Sequence, residues 1–262
     1  MRSYGRSSPS RVRIRVSMNY LAHGYRFCER PYFVAGTALP DWLRALGFRL
    51  RAAPAPDAGA PAGAEAGALR DLEAGVRRHL ADDAAFHQQP AFTEAWREIT
   101  RAIRRRADRD PRLRAHFFGH ILAEMLLDAA IARRVPDALA RYYAALEDVD
   151  PEVVESAAAT WLSAPPGGLG RFIDLFRRWR FLEDYARDAG IIHRLGQVAR
   201  RAGLPSPPRA VAEALPEARR LVEARWESLI DLPAGWRRGL VLSGGFRKAP
   251  SAPRLRRGAA PQ

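Results

Sequence analysis

The twenty residues Leu69–Gln88, LRDLEAGVRRHLADDAAFHQ, decide the fold. At about 100° per residue, Leu69, Leu72, Val76 and Leu80 fall on one side of a helix, and no period-2 alternation competes with that reading. The same stretch carries an oddity. His79, Asp83 and His87 recur at i, i+4 and i+8 within the apolar stripe rather than opposite it. A carboxylate between two imidazoles on a buried face needs compensation, because burying an unpaired charge is costly.

Working outward, the 3.6-residue period continues through Ala91–Ala107, Pro111–Arg134, Pro136–Glu147, Pro151–Leu162, Leu169–Asp188, Ile191–Ala202 and Pro208–Ile230. Each gap carries Pro, Gly or Asp, and Pro often falls at a first helical position. On the N-terminal side a short helix is expected over Asp41–Leu46, capped by Pro40-Asp41 and closed by Gly47. Residues 52–67, AAPAPDAGAPAGAEAG, are Ala/Pro/Gly-rich and read as a flexible insert. The series Phe172, Phe176, Trp179, Leu182 and Tyr185 sits at helical spacing and reads as core. The fold class is therefore all-α: a single helical domain over 18–231, with no internal repeat.

The net charge of +14 is located at the ends of the chain. Residues 1–17 hold five Arg and residues 232–262 seven basic residues, with no acid in either segment, so the body between them carries only +2. Both ends read as basic tails, the first disordered or an over-extended gene start, and nucleic acid is not an expected partner of the body. No uninterrupted apolar run approaches the roughly 20 residues of a membrane helix. A lone Cys28 excludes an internal disulfide and fits a reducing compartment, so the expected location is cytoplasmic.

The helix around residues 113–131 repeats the anomaly. Leu113, Phe117, Ile121 and Ile131 define its apolar face, and His116, His120, Glu124 and Asp128 lie along it at i+4 spacing. Four of the six His and three acids thus project from two helices toward one shared core. Imidazole and carboxylate are ligands for Zn²⁺, Mn²⁺ or Fe²⁺, and i,i+4 spacing brings two donors about 6 Å apart. The candidate ligands are His79, Asp83, His87, His116 and His120, with Asp128 as an alternative ligand or a support behind them. With no Cys in the set, the site reads as catalytic rather than as a structural zinc site. A metal-free network in which His–Asp pairs satisfy one another is the alternative. His193 has no partner in sequence and reads as surface.

Taken in order, these segments resemble the acyl-carrier-protein phosphodiesterase family, helical hydrolases distantly related to HD-type metallophosphohydrolases. Met18–His23, MNYLAH, resembles the family's opening MNxLAH. Gly36-Thr-Ala-Leu-Pro-Asp41-Trp42 resembles its G-N-x-x-x-D-[FW], and Gly75-Val76-x-x-His79 followed by Asp83 its G-I-x-x-H-x-x-x-D. Pro90 falls in step, and His120 matches the His of a later D-H-F-L element. The chain departs from the pattern at Thr37 in place of Asn, His87 in place of Asp, and Gly119 where an Asp precedes the His. A divergent member is implied. The resemblance adds His23 to the metal ligands and Asp41 to the catalytic residues.

It further implies metal-assisted hydrolysis of the phosphodiester that links phosphopantetheine to a carrier-protein serine, a step of fatty acid biosynthesis. Mn²⁺ is the expected ion, with Zn²⁺ or Fe²⁺ as alternatives. Asp41 or Glu124 is the expected general base, whichever is not a ligand. The implied partner is an acidic acyl carrier protein, docked by Arg177, Arg178, Arg180 or the C-terminal tail. Two other functions stay open: an HD-type phosphohydrolase acting on a nucleotide or other small phosphoester, and a non-catalytic helical interaction protein with a structural polar core.

Overall fold

A computed structural model describes residues 19–50, 64–107, 110, 113–162 and 165–230. These lie in the first of two compact units of the chain, Met1–Asp231. The expected tails, Met18 of the opening motif, Pro111, and residues 52–63 of the expected insert fall outside the described residues. What is described is all-α: among the described residues there is no strand.

Ten α-helices and two 3-10 turns follow in order among them. They are α1 (Tyr20–Gly24), a 3-10 turn at Tyr25–Phe27, α2 (Pro31–Ala45), α3 (Ala64–Phe86), α4 (Pro90–Arg106) and α5 (Ala115–Arg134). Then come α6 (Ala138–Glu147), α7 (Pro151–Leu162), α8 (Leu169–Trp179), a 3-10 segment at Phe181–Ala186, α9 (Asp188–Arg201) and α10 (Arg209–Ile230). Helix α5 runs through the middle and touches α1, α4, α6, α9, α10 and the second 3-10 segment. It is 20 residues long and, by length and composition, apolar enough to cross a membrane, with a mean hydropathy of 1.3 over its best window. That window is 78% buried by its neighbours, which makes α5 the core helix of the bundle.

Several boundaries correct the sequence reading. Helix α2 begins at Pro31, not Asp41, and Pro40 lies inside it. Pro31 occupies the favoured first position, and the run from Phe33 to Leu43 is buried throughout, so packing on all sides outweighs the amide that Pro40 withholds. Residues 64–67 belong to α3 rather than to the insert, which suits their Ala and Glu content. Helix α5 starts at Ala115, after Arg114. The expected Leu169–Asp188 helix breaks at Arg180, which adopts a left-handed φ of 43°. There the Arg180 guanidinium sits 4.4 Å from the Tyr143 ring centre and pairs with Glu183.

One contact positions everything that follows. A Cβ on Gly36 would stand 2.1 Å from the Leu72 carbonyl oxygen, and one on Gly75 would stand 2.2 Å from that of Phe33. The backbones of α2 and α3 therefore touch, as only paired glycines permit. This brings the Thr37 carbonyl within 2.8 Å of His79 Nδ1.

Candidate metal centre

A stripe running from i to i+8 spans about 12 Å of helix axis, too long for a single coordination sphere. The structure accordingly divides the expected ligands. His87 near the end of the α3 stripe meets His120 and Glu124 of α5, and the ligand atoms of these three lie within 4.8 Å of one another. His87 Nε2 is 3.1 Å from His120 Nε2 and 3.3 Å from Glu124 Oε1, and His120 Nε2 is 3.0 Å from that oxygen. The two rings stack with centres 4.9 Å apart, and Phe92 and Trp96 of α4 press their edges on His120. Glu124 is fully buried, while both imidazoles are partly open. This His87–His120–Glu124 cluster can hold a metal ion.

The electrostatics favour an ionised carboxylate here. Burial alone would raise the Glu124 pKa, but the neighbouring His120 and His87 imidazoles bring it below the usual value. Burial pulls His87 down, yet the Glu124 and Asp83 carboxylates outweigh it and the imidazole is raised. His87 Nδ1 lies 2.7 Å from the backbone oxygen of Asp83. A carbonyl only accepts, so Nδ1 carries the proton, and in the neutral ring the lone pair sits on Nε2, facing the cluster.

His79, one end of the same stripe, sits instead with His23 of α1, ring centres 4.4 Å apart. Its Nδ1 donates to the Thr37 carbonyl, and its fully buried Nε2 has no hydrogen-bond partner among the described residues. Burial first and the neighbouring His23 second hold His79 well below the usual imidazole pKa, so it is neutral with Nε2 as a free lone pair. His23 Nε2 lies 3.1 Å from Asn19 Oδ1, and its Nδ1 3.7 Å from Asp82 Oδ2. Asp83 Oδ1 stands 3.3 Å from His87 Nδ1. Asp41 is buried on α2, its Oδ1 paired with Arg44 at 2.9 Å and its Oδ2 without a hydrogen bond among the described residues. Burial, opposed by Arg44 but reinforced by Glu124, Asp83 and Asp128, raises its pKa well above the carboxylate range.

Two expected ligands are placed elsewhere. His116 lies in the first turn of α5 and is exposed, its ring 5.4 Å from that of Trp96, whose indole N–H donates to the His116 carbonyl at 2.8 Å. Asp128 is buried but turned to α1, accepting the Leu21 and Ala22 amides at 3.0 and 2.8 Å. It caps α1 from across the fold, which satisfies amides a helix start leaves over. His193 is exposed and bonds to Gln197. Of the three arginines expected to dock a partner, Arg177 donates inward to the Leu146 and Val149 carbonyls and Arg180 pairs with Glu183. Arg178 is the exposed one.

Sequence reasoning missed Asp82, which takes Arg78 at 2.5 Å and faces His23, because it lies one position off the stripe. It also missed Asn19 and Arg44, whose roles depend on tertiary neighbours. Gly119, where the resembled family has Asp, faces α4: a Cβ there would lie 2.5 Å from Thr100 Oγ1.

No family model matches the chain, and no curated protein or solved structure matches it either.

Proposed function

We propose that the protein is a metal-dependent phosphodiester hydrolase resembling the acyl-carrier-protein phosphodiesterases, releasing phosphopantetheine from a holo carrier protein. The observation that supports this most is the His87–His120–Glu124 cluster, an all-N/O set on two helices with partly open imidazoles. The buried His79 Nε2 lone pair, which a cation would satisfy, and Asp41 Oδ2, which a phosphoryl oxygen would satisfy once the carboxyl is protonated, have no hydrogen-bond partner among the described residues.

Mn²⁺ fits this donor set, as do Zn²⁺ and Fe²⁺. A bound cation there supplies charge neutralisation at the phosphoryl oxygens and a water of lowered pKa. His87, His120 and Glu124 would hold it, which removes Glu124 from the role of general base. Asp41, whose pKa is raised by burial and whose Oδ2 is unbonded among the described residues, would give a proton to the departing alkoxide. The carrier's acidic surface would meet Arg178.

The test is elemental analysis of purified protein, followed by assays of the Mn²⁺-loaded enzyme on bis(p-nitrophenyl) phosphate, nucleotides and a holo carrier protein. Conversion of holo to apo carrier supports the reading, and turnover of nucleotides alone replaces it with an HD-type small-phosphoester hydrolase. One observation favours a non-catalytic interaction protein with a structural polar core: the direct Nε2–Nε2 approach already occupies both imidazoles. Protein that takes up no divalent cation establishes that alternative.

A further inference from the structure

A cavity of about 350 Å³ opens between the end of α2, helix α8, the Phe181 turn and α9. Aromatic rings build its apolar part: Tyr20, Phe172, Phe176, Trp179 and Phe181. Tyr20, Phe176 and Phe181 pack edge-to-face at 4.9–5.7 Å, a fixed wall rather than a mobile one. Trp179 stands at the mouth with 62% of its surface exposed, although the spacing of its series predicted a core position. It carries the aromatic lining of the cavity out to its opening.

The other wall is polar and positive. Arg194, Gln197 and Arg201 line it from one face of α9 at i, i+3 and i+7. Arg194 is engaged by Asp184 at 2.6 Å and bonds the Gln197 side chain at 3.1 Å. Arg201 is exposed, donates Nε–H to the Gln197 carbonyl at 3.4 Å, and has no carboxylate partner among the described residues. No acid lines the cavity. Its volume lies in the range of small-molecule sites, about 300–1,000 Å³.

We propose that this cavity binds a small amphipathic organic anion, its aromatic or acyl body held between the rings of α8 and Tyr20 and its single anionic head paired with Arg201. The assignment is independent of the metal centre. Apolar walls with one cationic end exclude a fully polar ligand, whose groups would be left unpaired, and give a neutral ligand no advantage.

The experiment uses the full chain and 1-anilinonaphthalene-8-sulfonate as fluorescent probe, displaced by decanoate, 2-naphthoate or, as neutral control, decanol. One saturable site is expected, displaced by both carboxylates at least tenfold better than by decanol, and unchanged by EDTA. The two carboxylates rank the acyl and aromatic bodies. Arg201→Ala and Trp179→Ala should each weaken the probe about tenfold, the former matching one charge-assisted bond. Both side chains are exposed, so melting temperatures should hold. Arg178→Ala, beside Trp179 but outside the cavity, should bind as the parent does. Equal displacement by decanol, or unchanged affinity in Arg201→Ala, overturns the anionic assignment. Unchanged affinity in Trp179→Ala overturns the site.

Discussion

His87 Nε2, one residue past the end of α3, and His120 Nε2 of α5 approach to 3.1 Å. Two neutral imidazoles can meet this way only if one nitrogen donates and the other accepts. The Asp83 carbonyl fixes the proton of His87 on Nδ1, so His87 Nε2 accepts and His120 Nε2 donates. A cation held here would need the lone pair of each Nε2, so the His120 proton would have to lie on Nδ1 instead. Metal binding and the imidazole contact would then be exclusive arrangements of the same side chains.

It follows that His120→Ala and Glu124→Gln should each weaken Mn²⁺ by at least tenfold in calorimetry, the low end of losses seen when a ligand's support is removed. His116→Ala should bind as the parent does, since its ring is exposed beside Trp96. Equal loss in His116→Ala and His120→Ala would contradict the placement of α5.

The paired glycines offer a test of the scaffold. Gly36→Ala would set a methyl 2.1 Å from the Leu72 carbonyl oxygen, which is backbone and cannot rotate away. Overpacking costs about 1–3 kcal/mol where side chains can yield, so this change should reach or exceed about 3 kcal/mol by urea denaturation. Gly47→Ala, with nothing near it but a φ of 88°, should cost less, about 1 kcal/mol. An unperturbed Gly36→Ala protein would mean that α2 and α3 do not touch as described.

The helical class and the polar stripes were legible because period and residue type are local properties. The partition of the stripes was not. Whether His79 joins His120 or His23 depends on where α1 lands, and α1 is five residues held by Asp128 from over a hundred positions away. Spacing puts Asp128 on the ligand face as an alternative ligand or a support, because it shows a face and not the group that face meets. Helix α2 was shortened because an interior Pro usually starts a helix, and only its burial on all sides shows why this one does not. His116 shares the α5 stripe in sequence, yet it falls in the first turn, where the neighbouring helices no longer cover it.

Gly119 bears on the resembled family's Asp-His pair. Introducing an acid by Gly119→Asp would drive a carboxylate toward Thr100 of α4, with its Cβ 2.5 Å from Thr100 Oγ1. The variant should lose about 3 kcal/mol or more, through overpacking and an unpaired buried charge, and should gain no affinity for Mn²⁺. Thermal melts with and without the ion measure both.

The stability of the metal-free protein should fall as pH rises from 6 to 9, and Asp128 is the reason. Burial raises its pKa to about 8, against the opposing pull of the Ala22 and Leu21 amides. In the unfolded chain an Asp titrates near 3.9. A group whose folded pKa exceeds its unfolded one binds its proton more tightly when folded, so its contribution is complete below about pH 4 and is lost as pH climbs through about 8. Between those values the folded state holds one proton more, which sets a slope of up to about 1.4 kcal/mol per pH unit. Asp41, raised by burial as well, adds with the same sign. Neutral His79 acts oppositely, but its effect is spent once pH exceeds the unfolded imidazole value of about 6.5. His87, raised against its burial by Glu124 and Asp83, also adds with the same sign above about pH 6.5. Urea midpoints at pH 7, 8 and 9 therefore read these groups together, and Asp128→Asn, which cannot titrate, should flatten the slope without abolishing it. The variant should also lose about 1 kcal/mol at every pH, because one of the two α1 amides then faces an NH₂ group in place of an acceptor. An Asp128→Asn protein with the parent's full slope would show that this carboxyl is already ionised at pH 7 and that its two amide bonds outweigh its burial.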